Sequence, residues 1–360
     1  MNPKITEVEF YLDVTDRINR GDNLDKWVDD DNGTLLHFAA VSGFAGTVSL
    51  LLESGASVDP LTFDNDTPLN MAAHFGHTDT VEILLKNGAN VNFLSSDGIT
   101  PLLDACMSGN IETVKAILNY GPEINEVNDK GQNALTVALI HNHDEVSNYL
   151  LQTDIDLNTF DLIRNTPLSY AALFGSSSCV EKLCKNGADV MTLSMSGNTP
   201  LHNAVESGNI ETIQILLSYG ANLSTKNILG ETPLAKAFFL YNEQVVDYLC
   251  SSLSQGTLKN LAVNDPCPCA SGKKYKKCCL NANAEDILMK FSSVQLPKYD
   301  SIDSLLEDQI KKADWTYKSK KENTFLGLTP NYIHWYPWQS GIYVTSEKAV
   351  GIFLKNVELQ

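Results

Sequence analysis

Positive charge is scarce in this chain. Against 44 aspartates and glutamates stand 26 lysines and arginines, for a formal net charge of -18 and a pI near 4.7. A surface of that sign repels nucleic acid and anionic membranes, which argues against DNA and lipid as general partners. No run approaches the ~20 apolar residues of a membrane span, and Met1 to Glu7 carries no apolar signal core. A cytoplasmic chain is the expectation. Signatures of catalysis are missing too: no serine or cysteine sits in a nucleophile motif, and the spacing C-x-x-C of redox centres does not occur. No catalytic residue is assigned, and the chain is read as a binding protein rather than an enzyme. Tryptophan is nearly absent before residue 300, as Trp315, Trp335 and Trp338 are three of the four.

What the chain does have is period. Thr67-Pro68-Leu69 recurs as Thr100-Pro101-Leu102, Thr166-Pro167-Leu168, Thr199-Pro200-Leu201 and Thr232-Pro233-Leu234, all at multiples of 33 residues, with Thr34-Leu35-Leu36 and Asn133-Ala134-Leu135 in the remaining slots. Alanine holds one position seven times over, from Ala39 to Ala237. Four residues later stands Gly43, Gly76, Gly109, Asn142, Gly175, Gly208 and finally Tyr241. A paired apolar step follows, as in Leu51-Leu52 and Leu84-Leu85, and Gly-Ala closes most units. Threonine caps a helix that proline starts, alanine permits close helix approach, and each glycine ends a helix in a left-handed conformation. The leucine pairs supply the burial, about 1.5–3 kcal/mol per fully buried side chain.

Before the repeats, Ile5, Val8, Leu12, Val14 and Ile18 have helical spacing up to Gly21, and a second helix is expected to begin at Leu24, Trp27 and Val28. Residues 1–28 read as an N-terminal helical cap, since a stacked array must show water a polar end. The fourth unit departs most, with Asn133, Asn142 and Thr153-Asp154 in place of the usual residues, and loosening or a bend is expected there. The seventh lacks its closing Gly-Ala and reads as the C-terminal cap of the array.

The phrase T-P-L-H-x-A-A-x-x-G, the period and the closing G-A resemble ankyrin repeats over residues 29–258. The resemblance implies a mostly α fold, an ankyrin-repeat solenoid of about seven helix-turn-helix units of 33 residues. It implies protein partners held on the concave face by loop tips and first helices. Five residues before each threonine slot stands a short polar residue suited to turns, such as Thr62, Asp161, Ser194 and Asn227. The two positions after it are free of that duty. They carry Phe63 in the second unit and Leu162-Ile163, Met195 and Ile228-Leu229 in the fifth to seventh. Phe75, Tyr170 and Phe174 lie on the neighbouring helical face. These residues are the candidate partner-binding set, with docking of the tips onto the chain's own C-terminal region as the rival reading.

Beyond the repeats, within residues 259–284, Cys267-Pro268-Cys269-Ala270-Ser271-Gly272-Lys273-Lys274-Tyr275-Lys276-Lys277-Cys278-Cys279 gathers four of the eight cysteines. Four thiolates suit tetrahedral zinc with no open position, hence a structural site. Disulfide pairing is the alternative, disfavoured by adjacent Cys278 and Cys279. The segment is similar to the SEC-C motif, with Ala270 where that family usually has glycine. The resemblance implies zinc as cofactor and Cys267, Cys269, Cys278 and Cys279 as its ligands. Lys273, Lys274, Lys276 and Lys277 form a basic patch that offsets the site's negative charge or meets acidic partners. By the same likeness a ribosome or a chaperone is an implied partner, as adaptor of the translation or secretion machinery. Bacterial ankyrin chains resemble secreted effectors acting on host proteins, which places the chain in a host cell as the alternative. Residues 285–360 form an aromatic-rich α+β segment, with a helix through Leu305, Leu306 and Ile310 and two strands at Gly341–Thr345 and Val350–Leu354.

Overall fold

In a computed structural model the described residues are 6–28, 32–174, 176–240, 242–254, 267–269 and 273–274, with strand segments at 333–336, 341–346 and 349–354. They fall into two compact units, Met1–Asp156 and Leu157–Gln360.

The first unit opens with α1 (Glu7–Arg20). Thr6 starts it through a reciprocal cap, accepting from the Glu9 amide at 3.3 Å while the Glu9 carboxylate accepts from the Thr6 amide at 2.9 Å. Phe10 and Val14, four apart, form its buried stripe. The Phe10 ring lies 4.6 Å from that of Phe38 and 5.9 Å from that of Phe44, which seats α1 on the first helix pair. The second helix expected at Leu24 to Val28 does not form. That stretch turns, with the Lys26 amide donating to Asn23 O and the Val28 amide to Gly33 O, and Trp27 is exposed. Five residues hold too few hydrogen bonds to sustain a helix without a buried face.

Helices then come in pairs: α2 (Leu35–Ser42) with α3 (Ala45–Glu53), α4 (Pro68–His74) with α5 (Thr78–Lys86), α6 (Pro101–Ser108) with α7 (Ile111–Leu118), and α8 (Ala134–Ile140) with α9 (Asp144–Leu150). First helices stack on first helices and second on second. Thr67 accepts from the Asn70 amide and Thr100 from the Leu103 amide, both at 3.2 Å, ahead of a proline at the first helical position. Ala39, Ala72, Ala105 and Ala138 are fully buried at the seams. Asn133 replaces the threonine as cap, accepting from the Thr136 amide at 3.0 Å, and Asn142 takes the glycine's left-handed conformation at φ 59°. The helices of this divergent unit are therefore intact, and the division between the two compact units falls just after it. At Gly109, φ is 76° and a methyl would collide with the His143 ring, whose Nε2 lies 3.0 Å from Met107 O.

Between pairs run tight loops closed on themselves. The Thr62 amide donates to Asp66 O at 3.1 Å, and the Asp66 amide donates to the Thr62 hydroxyl at 3.0 Å. Successive loops are tied at their tips, the Ser96 amide donating to Asp64 O and the Asp129 amide to Asp97 O.

The second unit repeats the plan with α10 (Pro167–Phe174) and α11 (Ser177–Lys185), α12 (Pro200–Ser207) and α13 (Ile210–Ser218), and α14 (Pro233–Phe239) and α15 (Glu243–Ser254). Its tips are tied in the same way, the Met195 amide to Ile163 O and the Ile228 amide to Ser196 O. Further on, β1 (Ile333–Tyr336), β2 (Gly341–Ser346) and β3 (Ala349–Leu354) form an antiparallel sheet in that order, pairing Ile333 with Val344 and Ile342 with Leu354. β1 was not among the expected strands. The helix expected through Leu305 to Ile310 lies outside the described residues.

Candidate functional site

In the described loops the polar slot at the start is structural, as its chemistry predicts. Thr62, Asp161, Ser194 and Asn227 are buried. Asp161 Oδ1 accepts from the Ile163 and Asn165 amides, and Asn227 Oδ1 from those of Leu229 and Glu231. Burial pushes the Asp161 carboxyl up to about 6 against the hydrogen bond that Tyr170 Oη donates to it at 2.6 Å. Tyr170 is thereby turned toward its own loop, and its ring stacks on Phe174 at 6.3 Å.

The candidate partner-binding residues divide by unit. Phe63 is 64% and Phe75 55% exposed in the first unit. Leu162, Ile163, Met195, Ile228 and Leu229 in the second are half-buried, as are Tyr170 and Phe174. A further row is absent from the candidates read in the sequence. Six residues before the threonine slot stand Leu61, Leu94 and Val127 in the first unit and Phe160 and Leu193 in the second, each between 37% and 46% exposed. Its signal lies in the register one place ahead of the polar slot, whereas the candidates came from the two places behind it. In the first unit this row has acidic neighbours at the tips: Asp64, Asp97 and Asp129 are all exposed. Burial, then the charges of Asp104, Asp64 and Asp97, push the Asp66 carboxyl up to about 6.

Two polar clusters occupy one slot of the repeat. In the first unit His74 Nδ1 lies 3.2 Å from Asp104 Oδ1, while Asn70 Nδ2 donates to Asp104 Oδ2 at 3.0 Å. That contact raises the His74 imidazole, and burial raises the Asp104 carboxyl. In the second unit, Lys236 Nζ donates to Glu206 Oε2 at 2.6 Å. Nearby His202 is fully buried, its Nδ1 2.8 Å from the Thr199 hydroxyl and its Nε2 3.1 Å from Glu231 O. Desolvation, with Lys236 close by, lowers its imidazole to about 3, so it is neutral. His37 makes the equivalent bridge from Thr34 to Asp66 O. His37 and His202 therefore serve the loop network.

Of the cysteine cluster, Cys267 and Cys269 are described and buried, with Sγ atoms 3.4 Å apart. That is too long for a disulfide between the two, at about 2.05 Å. It is near the ~3.8 Å edge of a tetrahedron with zinc–sulfur bonds of about 2.3 Å. The pair thus fits two ligands of one zinc ion. Cys278, Cys279, Lys276 and Lys277 lie outside the described residues, and among the described ones no group of three or more metal-ligating side chains converges. Lys273 and Lys274 are exposed.

Helix pairs stacked in a fixed register, with loops tied tip to tip and recognition left to side chains the register does not constrain, define a repeat-protein binding module. The chain belongs to the ankyrin-repeat family. A family model described as ankyrin repeats (3 copies) matches residues 9–95, 87–161 and 168–262, and a SEC-C motif model matches residues 264–281. The crystal structure of the human ASB11 ankyrin repeat domain is similar at 32% identity and a TM-score of 0.52, covering 55% of this chain and 89% of that one. Among the described residues no helix is long and apolar enough to cross a membrane.

Proposed function

We propose that this chain is a cytoplasmic protein-binding scaffold, without catalytic activity, built of seven ankyrin repeats and a structural zinc knuckle of four cysteines. The observation that carries the reading is the set of exposed apolar side chains in the first unit: Leu61, Phe63 and Leu94 on the loops, and Phe75 at the end of α4. Such a set is more than a folded surface needs scattered singly. Asp64 and Asp97 beside it favour a partner segment that combines basic with aromatic or aliphatic side chains. The half-buried Leu162, Ile163, Met195, Ile228 and Leu229, with Tyr170 and Phe174, serve as a second contact surface, and a change of partner contact there also changes the fold's own contacts. Cys267, Cys269, Cys278 and Cys279 hold zinc, with Lys273, Lys274, Lys276 and Lys277 balancing its charge; ribosome or chaperone contact would run through this patch.

A random peptide library displayed on phage and panned against the full chain tests the scaffold. Selected peptides should pair Lys or Arg with Phe, Trp or Leu and lose binding to the Phe63→Ser, Phe75→Ser variant. Selection indifferent to both substitutions would sink the first-unit face. Metal analysis after purification under reducing conditions should find about one zinc per chain.

A further inference from the structure

We propose that the turn Cys267–Cys269 is the cover of the last helix pair: it takes the place that a following repeat's loop takes elsewhere in the array. Filling the cysteine site with zinc then tightens α14 and α15. The zinc half of this rests on the knuckle reading above; the cover itself stands on geometry alone.

The first observation is burial. Pro233, Leu234, Ala235, Lys236 and Ala237, five residues in a row on α14, are all buried. With about 3.6 residues per turn, such a run points all round the helix. α12 covers one flank of α14, yet no further Thr-Pro-Leu phrase follows Thr232 to supply a repeat for the other. In a stacked array the far side of the last repeat faces water unless something else is laid on it.

The second observation is a substitution of hydrogen-bond partner. Between successive repeats, the side chain three residues after the cap reaches the carbonyl just ahead of the next repeat's threonine. His37 Nε2 lies 3.1 Å from Asp66 O, Asn70 Nδ2 donates to Ile99 O at 3.3 Å, and His202 Nε2 lies 3.1 Å from Glu231 O. On α14 that position is Ala235, which has nothing to offer. Instead the cap itself makes the link: the Thr232 hydroxyl donates to Pro268 O at 2.5 Å while accepting from the Ala235 amide at 3.2 Å. Thr232 is fully buried, so the Pro268 carbonyl stands where water cannot.

The third observation is who holds that carbonyl. Pro268 lies between the two cysteines, and the turn is closed by the Cys267 amide donating to Lys273 O at 2.8 Å. Pro268 is buried with Cys267 and Cys269. The residues that would ligate zinc therefore also aim the carbonyl at Thr232, and so short a segment depends on its metal for order.

Hydrogen exchange by mass spectrometry on the full chain tests this, comparing zinc-loaded protein, the same protein after chelation, and Cys267→Ser, Cys269→Ser, with zinc content measured alongside. The expected result is exchange about tenfold faster in α14 and α15 on chelation and in the variant, with α6 and α7 unchanged. Zinc that leaves without any change in α14 and α15 overturns the cover and leaves the zinc site standing. A chain that never holds zinc, yet loosens in α14 and α15 when the cysteines are replaced, overturns the zinc reading and supports the cover. No zinc and no loosening overturn both. Should the double serine variant fail to fold, chelation of the native chain decides: α14 and α15 should loosen as zinc leaves, and unchanged exchange there overturns the cover.

Discussion

One slot of the repeat is filled in opposite ways in the two units. The pair separated by 30 residues is His74 with Asp104 in the first unit and Glu206 with Lys236 in the second. The acid lies on the later repeat in one and on the earlier repeat in the other. In the first pair the histidine side chain is 45% exposed, whereas the second pair is 14% and 7% exposed. Histidine changes charge near neutrality and lysine does not, so the same contact is adjustable in one unit and permanent in the other. Around them the tips differ in parallel: acidic and open beside His74, apolar and half-buried in the second unit. A register that dictates the backbone leaves the chemistry of each slot to its neighbours.

The largest break in this comparison should come from Lys236→Ala. It leaves the part-buried Glu206 carboxylate without its cation, a loss of up to about 3–5 kcal/mol. Asp104→Asn, which keeps an acceptor for Asn70, should cost about 1 kcal/mol, the worth of one hydrogen bond. Urea unfolding of both variants measures the contrast, and equal losses would mean the two slots are energetically alike.

Acid sharpens it next. His202 titrates at about 3 in the fold against an ordinary value of about 6.5, so the unfolded chain takes up the proton first. Its contribution is complete above about pH 6.5 and falls by about 2 kcal/mol by pH 5. Asp66, raised to about 6, and His74, also raised, have the opposite sign. The fold holds their protons more tightly, so their contribution is complete at low pH and lost as pH rises. Asp161, raised to about 6 in the second unit, follows Asp66 and works against His202. Hydrogen exchange at pH 7 and pH 5, corrected for intrinsic rates, should show α12 and α14 loosening in acid while α4 and α6 firm up.

A smaller effect separates two glycines of the first unit. Gly109→Ala meets both a left-handed backbone and the His143 ring, whereas at Gly88, with φ 88°, a methyl meets nothing within 4 Å. Thermal unfolding should show about 1–2 kcal/mol lost at Gly88 from backbone conformation alone, and more at Gly109. Smallest of all, Phe63→Ser and Phe75→Ser should move stability by about 0.5 kcal/mol or less, as exposed positions do. Ile163→Ser and Ile228→Ser, half-buried, should cost more than either. If the order reverses, the open and closed tips have been assigned to the wrong units.

Much of the fold was legible because ankyrin geometry is local. Caps at Thr67 and Thr232, helix ends at Gly43 and Gly109 and the fully buried alanine seam are contacts within a few residues or at a fixed multiple of the period, and a period is visible in a string of letters. The exposed row from Leu61 to Leu193 keeps the same period, but an apolar residue in a loop looks the same in sequence whether it is open or covered. The expected helix at Leu24 shows the converse failure: apolar spacing without a face to bury it does not hold a helix.

The sequence by itself determined the repeat, its helix boundaries, the family and the cysteine motif, because those depend on hydrogen bonds and turns that close over short distances. Only the tertiary structure decided which tips stay open, that His74 meets Asp104 and Lys236 meets Glu206, and that Pro268 reaches Thr232 across 36 residues. Each of those turns on how far one stacked repeat shields the next from water, a quantity set by neighbours in space and written at no single position in the chain.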